Sequence, residues 1–180
     1  MRRNPSIAGI LDMAPTLNLP NWYLGAGCVA QTVWNELHGF APTAHIKDYD
    51  FVYFDDSDLS YESENSHIKE GEKLFQSLGV KVEMKNEARV HLWYQEHFGY
   101  SISPYKSVED AIASWPTTAT SIGVKLDERR RFMAFAPFGL DDLYGLVVRP
   151  NKRQITKEIY LEKVQRWTKF WPNLKVVPWD

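Results

Sequence analysis

Trp22-Tyr23-Leu24-Gly25-Ala26-Gly27 leads into the apolar-spaced run Cys28 to Leu37 and, after a loop, into Asp48-Tyr49-Asp50-Phe51-Val52-Tyr53-Phe54. This stretch reads as strand, glycine turn, helix and second strand, the last opening with two carboxylates one residue apart. Phe51 to Phe54 is the strongest strand signal in the chain, a run of aromatic and β-branched residues. Side chains alternate across a strand, so Asp48 and Asp50 are expected on one face, roughly 7 Å apart along the backbone. Like charges at that spacing repel unless a cation lies between them, and oxygen ligands suit Mg²⁺. Two solvent-facing acids at the start of an edge strand are the bland alternative. Spacing alone leaves both open.

Outward from this stretch the hydrophobic periodicity continues to alternate. Ile7, Ile10, Leu11 and Met13 suggest a short amphipathic helix, ended by Pro15 and Pro20, within an N-terminal helical extension over residues 1–20. Val29, Val33, Trp34 and Leu37 share one face of the helix after the glycine turn, which stops at His38-Gly39. Asp55 to Glu64 reads as an acidic polar loop. Residues 66–78 read as a helix with Ile68, Leu74, Phe75 and Leu78 inward, closed by Gly79. Val80-Lys81-Val82-Glu83-Met84 alternates as a third strand, and Glu87 to Phe98 is helix-compatible. Ser107 followed by Asp110 resembles a capping box, with Val108, Ala111, Ile112 and Trp115 as its apolar face. Ile122 to Leu126 and Arg131 to Phe135 suggest a strand pair. Thr156 opens a last helix carrying Tyr160, Val164, Trp167 and Trp171, and Leu174 to Val177 suggests a terminal strand. The expectation is one domain over residues 1–180, α/β (or α+β), with a small mixed sheet and flanking helices.

The bulk composition narrows the class. A chain of 180 residues with 44% hydrophobic content is long enough to bury a proper core. The single Cys28 excludes an internal disulfide framework and a Cys-rich zinc site, and it agrees with a reducing compartment. Asp12 and Pro15 interrupt the apolar run that a signal peptide starting Met1-Arg2-Arg3 needs, and no stretch has the length of a membrane span. A cytoplasmic protein is expected. A net charge of −2 argues against binding duplex nucleic acid through its backbone. Residues 1–90 carry 8 basic against 13 acidic side chains and residues 91–180 carry 13 against 10. That asymmetry suits a metal–phosphate site between the halves and also suits ordinary surface variation.

Gly25-Ala26-Gly27 before a helix, followed by Asp48-Tyr49-Asp50 on the next strand, resembles the signature of the DNA polymerase beta type nucleotidyltransferase superfamily. More closely, the chain resembles a small bacterial nucleotidyltransferase-like family through Val33-Trp34-Asn35, Leu37-His38-Gly39 and Tyr53-Phe54-Asp55. The resemblance continues through Lys85-Asn86-Glu87-Ala88-Arg89-Val90-His91, Trp115-Pro116, Thr118-Ala119-Thr120, Ala136-Pro137-Phe138-Gly139-Leu140-Asp141-Asp142-Leu143 and Arg149-Pro150-Asn151. It implies metal-dependent transfer of a nucleotidyl group from an NTP to an acceptor hydroxyl of unknown identity. It also implies that Asp48 and Asp50 hold one or two Mg²⁺ ions bridging the triphosphate and the attacking hydroxyl. A third carboxylate is implied on a neighbouring strand, and Glu83 is the candidate. A surface Glu83 paired with Lys81 or Lys85 is its alternative.

Gly25 and Gly27 let backbone amides approach a phosphate at the N-terminus of the Cys28 helix, or form a plain tight turn. Arg89 is a candidate phosphate partner and His91 a candidate second-substrate contact; an ion pair and a packed ring are the bland readings. Asp141 and Asp142 suggest helix capping. Thr118 and Thr120 suit either a nucleotide contact or a strand. Two rivals stand beside the enzyme reading. One is a catalytically inactive nucleotide- or protein-binding module of the same fold. The other is Rossmann-type dinucleotide binding, since Gly25-Ala26-Gly27-Cys28-Val29-Ala30 fits that fingerprint with an acid about 20 residues on.

Overall fold

Alternation along the two parallel strands sets Phe51, Tyr53 and Met84 on one face of the sheet and Asp50, Glu83 and Lys85 on the other. The computed structural model describes residues 3–180, so the first two residues of the N-terminal extension lie outside the described part. Five strands form one mixed sheet, β1 (Tyr23–Gly25), β2 (Tyr49–Tyr53), β3 (Val82–Asn86), β4 (Gly123–Leu126) and β5 (Phe132–Phe135), in the order β3-β2-β1-β4-β5. Only β2 and β3 run parallel; β1 is antiparallel to both β2 and β4, and β4 to β5. A small parallel pair, β6 (Val147–Val148) and β7 (Lys175–Val176), lies apart.

One face of the sheet presents Leu24, Tyr49, Phe51, Tyr53, Met84 and Val124 to the main core. Against it lie the helices α1 (Pro5–Met13), α2 (Gly27–Leu37) and α3 (Tyr61–Phe75). Asn4 caps α1, its side-chain oxygen accepting from the Ser6 and Ile7 amides. Helix α3 starts well before residue 66, inside the stretch expected to be a loop. Ser60 caps it by accepting from the Ser63 amide, and Glu62 and Glu64 lie in the first turn, where the helix dipole favours negative charge. Strand β3 is displaced two residues towards the C-terminus of its expected range. Asn86 fixes its end, accepting from the Asp55 amide and donating to the Asp55 carbonyl.

The opposite face carries Tyr23 and Val52 in a second, smaller cluster. It is covered by Val108 and Ile112 of α5 (Val108–Ile112), whose Ser107 cap accepts from the Asp110 amide. The remaining helices are α4 (Val90–Phe98), α6 (Asp141–Tyr144) and α7 (Lys157–Thr168). Aromatic edges lock α7 to α2. Trp34 meets Trp167 at 5.4 Å and Trp171 at 5.5 Å between ring centres, and Trp171 Nε1 donates to Asn35 Oδ1 at 2.8 Å. This clamp brings Glu162, Lys163 and Arg166 of α7 over the face that carries Asp50 and Glu83. Among the described residues no helix is long and apolar enough to cross a membrane.

Candidate active site

The register assembles the site. Asp50 of β2 has Glu83 of β3 as its parallel neighbour and Gly25 of β1 as its antiparallel one, and Gly25 in turn faces Gly123. Adjacent strands lie about 4.8 Å apart, so the two carboxylates stand side by side beside two positions without side chains. The Trp115 ring lies over Gly25, and Ile112 with Tyr23 fills the space over Gly123. A β-carbon on Gly25 would lie 2.5 Å from the ring and 2.9 Å from the Ile122 carbonyl, so glycine is demanded here by crowding. One row along, Val52 is flanked by Lys85 and Tyr23 on the same face.

A cavity of about 450 Å³ opens over this face, within the usual range for small-molecule sites. Asp50, Glu83 and Lys85 reach it from the sheet, Ala26 from the start of α2, and Lys163 and Arg166 from α7. Asp48 stands one residue before β2 and lines a small adjoining hollow that shares Arg166 with the cavity. Burial pushes the Asp50 carboxyl up to about 6, the Asp48 charge adds to the rise, and Lys85 opposes it; Glu83 adds further and Lys163 opposes. Burial holds Lys163 below the usual ammonium range, helped by Arg166 and opposed by Asp50 and Asp48. Acids and bases of the two halves of the chain therefore face each other across the cavity.

The turn before α2 departs from expectation in detail. Ala26, not a glycine, carries the left-handed backbone, with φ 55° and ψ −127°. Its amide donates to the Ile122 carbonyl at 3.0 Å. No side chain caps α2, so its first amides and its positive end are left to the site. Cys28 just inside the helix is fully buried and donates to the Gly25 carbonyl.

Glu83 forms an ion pair with Lys81 at the surface edge of the cavity. Among the described residues no group of three or more His, Cys, Asp or Glu side chains is arranged as a metal cage. Mg²⁺ bound with a nucleotide does not need one, because it uses one or two carboxylates and takes its other oxygens from phosphates and water. Asp50 and Asp48, hard oxygen donors whose charges already oppose one another, fit such an ion.

Arg89 is not brought to the cavity. Its guanidinium is buried against the Glu64 carboxylate and donates through Nε to the Leu59 carbonyl at 2.9 Å. His91 likewise does not line it; its Nδ1 is buried without a partner among the described residues. Asp141 and Asp142 lie within the first turn of α6 after a Leu140 cap, so neither caps it. Asp142 instead accepts from Arg149 Nε at 2.9 Å and from the Thr118 hydroxyl at 2.6 Å. Thr120 is buried against Thr117, 2.7 Å between hydroxyls.

Sequence reasoning missed Lys85, Glu87, Lys163, Arg166 and the Trp115 contact. Lys85 and Glu87 follow Glu83 at two-residue steps, so alternation carried a signal for them. Lys163 and Arg166, three apart on a helix, carried none until α7 was placed. The dinucleotide fingerprint is overturned by topology. That motif needs β1 and β2 parallel around the helix, and here they are antiparallel.

A family model described as Nucleotidyltransferase matches residues 12–176 of the chain. Among solved structures, a protein whose NMR structure reveals a CCA-adding enzyme head domain is 27% identical. Its TM-score is 0.80, with 98% of this chain and 92% of that chain covered. A tRNA-processing enzyme in an apo form is 16% identical, with a TM-score of 0.51, covering 93% of this chain and 44% of that one; it shows a likeness of fold alone. Among curated proteins, none matches.

Proposed function

The chain belongs to the nucleotidyltransferase family, and from that premise we propose that it moves a nucleotidyl group from an NTP to an acceptor hydroxyl. The observation that carries this reading is the Asp50–Glu83 pair at neighbouring strand positions, with Asp48 close by and Lys163 and Arg166 opposite. Asp48 and Asp50 would hold Mg²⁺, with Glu83 as a third ligand once released from Lys81. When bound, the metal supplies charge stabilisation to the attacking and leaving oxygens. Lys163 and Arg166 meet the β- and γ-phosphates, and the uncapped N-terminus of α2, which begins at Gly27, offers its first amides to the α-phosphate side. The acceptor oxygen bonds to the α-phosphorus, the bond from that phosphorus to the bridging oxygen breaks, and pyrophosphate leaves. The hydroxyl proton passes to Glu83, a partly exposed carboxylate of this group. The acceptor is a separate molecule and duplex nucleic acid is not expected.

The Glu83–Lys81 ion pair favours one rival, a module that binds nucleotide without turnover. Transfer of label from α-³²P NTPs in Mg²⁺, offered pooled small RNAs and small-molecule alcohols, separates the two. Asp50→Asn should lower transfer by at least about 100-fold, the scale of losing a group that acts in the transition state. An unchanged rate refutes the assignment. Mg²⁺-dependent binding with no transfer to any acceptor supports the rival.

A further inference from the structure

The cavity is lined by more than the Asp50–Glu83 pair, and its lining beyond that pair has a different chemistry. Glu83, Lys85 and Glu87 follow at two-residue steps along β3 and just past it, and all three line the cavity. At the strand rise, Lys85 stands roughly 7 Å beyond Glu83, and Glu87 follows just past the end of the strand, on the side away from the Asp50–Glu83 pair. The walls between are apolar and aromatic: Val52 below, with Trp93, Tyr105 and Trp115 around. Lys85 Nζ lies 5.2 Å from the centre of the Trp93 ring, closing one side.

Glu87 is only 4% exposed and has no ion-pair or hydrogen-bond partner of its own among the described residues. An acid buried that way is unfavourable unless something else satisfies it. Close by, Tyr105 donates to Gln154 Oε1 at 2.9 Å, and Ser114 Oγ lies 2.9 Å from the Tyr105 oxygen. This arrangement points the Gln154 oxygen at Tyr105 and leaves its Nε2 free to donate.

We infer that this end of the cavity holds the nucleobase, and that Glu87 with the Gln154 amide reads the Watson–Crick edge of guanine. Guanine presents two adjacent N–H donors, N1 and N2, beside a carbonyl oxygen. A carboxylate accepts from both donors and an amide donates to the carbonyl. Adenine and cytosine offer a donor beside an acceptor, and uracil a single N–H between two carbonyls. The flat aromatic walls suit any base, so discrimination falls to the two polar groups.

The inference rests on the nucleotidyl-transfer reading, and equilibrium binding separates the two. Calorimetry on the full chain in Mg²⁺ compares GTP, ITP, ATP, CTP and UTP, for the wild type and for Glu87→Gln. GTP should bind roughly tenfold tighter than the others, ITP should lose much of that advantage with its 2-amino group, and Glu87→Gln should erase the preference for GTP. Should the variant fail to fold, the GTP-to-ITP ratio on the wild type decides alone. Equal affinities for all five, or a ranking unchanged by Glu87→Gln, overturn the base assignment and leave nucleotidyl transfer standing. No binding of any NTP brings down both.

Discussion

Glu87 makes the stability of this fold depend on pH in a direction opposite to that of a paired carboxylate. Burial pushes its carboxyl from the usual 4.5 up to about 7, with Lys85 opposing the rise and Asp50 adding to it. In the unfolded chain the proton leaves near 4.5; in the folded protein it stays until about 7. Between those values the folded state holds a proton that the unfolded state has lost, so stability falls as pH rises through the window and levels off above it. A shift of that size corresponds to a loss on the order of 3 kcal/mol by pH 8. Asp50, raised to about 6, adds a loss in the same window in wild type and variant alike, so their difference reports chiefly Glu87. Glu87→Gln keeps the shape and cannot ionise. Urea unfolding from pH 5 to 8.5, with EDTA throughout, should therefore find the variant gaining on the wild type as pH rises. The gain should reach about 2–3 kcal/mol at pH 8. A difference that does not change with pH, or a wild type that is the more stable at pH 8, would show that the buried carboxylate has a charge partner and refute the reasoning.

Four further substitutions probe the turn, the buried arginine and the cations of α7. Ala26→Gly relieves a left-handed backbone and should stabilise the protein by about 1 kcal/mol, whereas Gly25→Ala drives a β-carbon into Trp115 and should destabilise it by about 1–3 kcal/mol; thermal melts read both. Arg89→Ala leaves the buried Glu64 carboxylate unpaired and should lower stability by about 3–5 kcal/mol, while Mg·GTP affinity at a temperature where the variant is folded stays unchanged. Lys163→Ala removes one of the two α7 cations that line the cavity opposite Asp50 and should weaken Mg·GTP binding roughly tenfold, with a shallower dependence on salt, measured by calorimetry at two ionic strengths.

The parts of the fold legible in the sequence were those set by local pattern. Phe51 to Tyr53 marked an interior strand, the glycine turn marked the start of α2, and two-residue alternation put Glu83 on the face away from Met84, where Asp50 also lies. Legibility failed where side chains from distant segments decide the backbone. Asp55 to Glu64 looks like a solvated acidic loop, yet Ser60 starts a helix there whose Glu64 is buried to meet Arg89. Strand β3 extends to Asn86 because that side chain holds Asp55, 31 residues earlier. The glycine turn suggested phosphate binding at both glycines, but Gly25 is required by the Trp115 ring and the left-handed position falls on Ala26. Lys163 and Arg166 carry no signal in the chain, because only the Trp34–Trp167–Trp171 cluster places their helix over the carboxylates.

Crystals grown with Mn²⁺ and a GTP analogue that cannot release pyrophosphate, measured at the manganese absorption edge, test the reading most directly. A manganese peak within bonding distance of the Asp48 and Asp50 oxygens, with the analogue's phosphates on its other side and its base against Glu87, is the expected result. Manganese bound elsewhere, or a nucleotide seated in the cavity with no metal at those two aspartates, would contradict it.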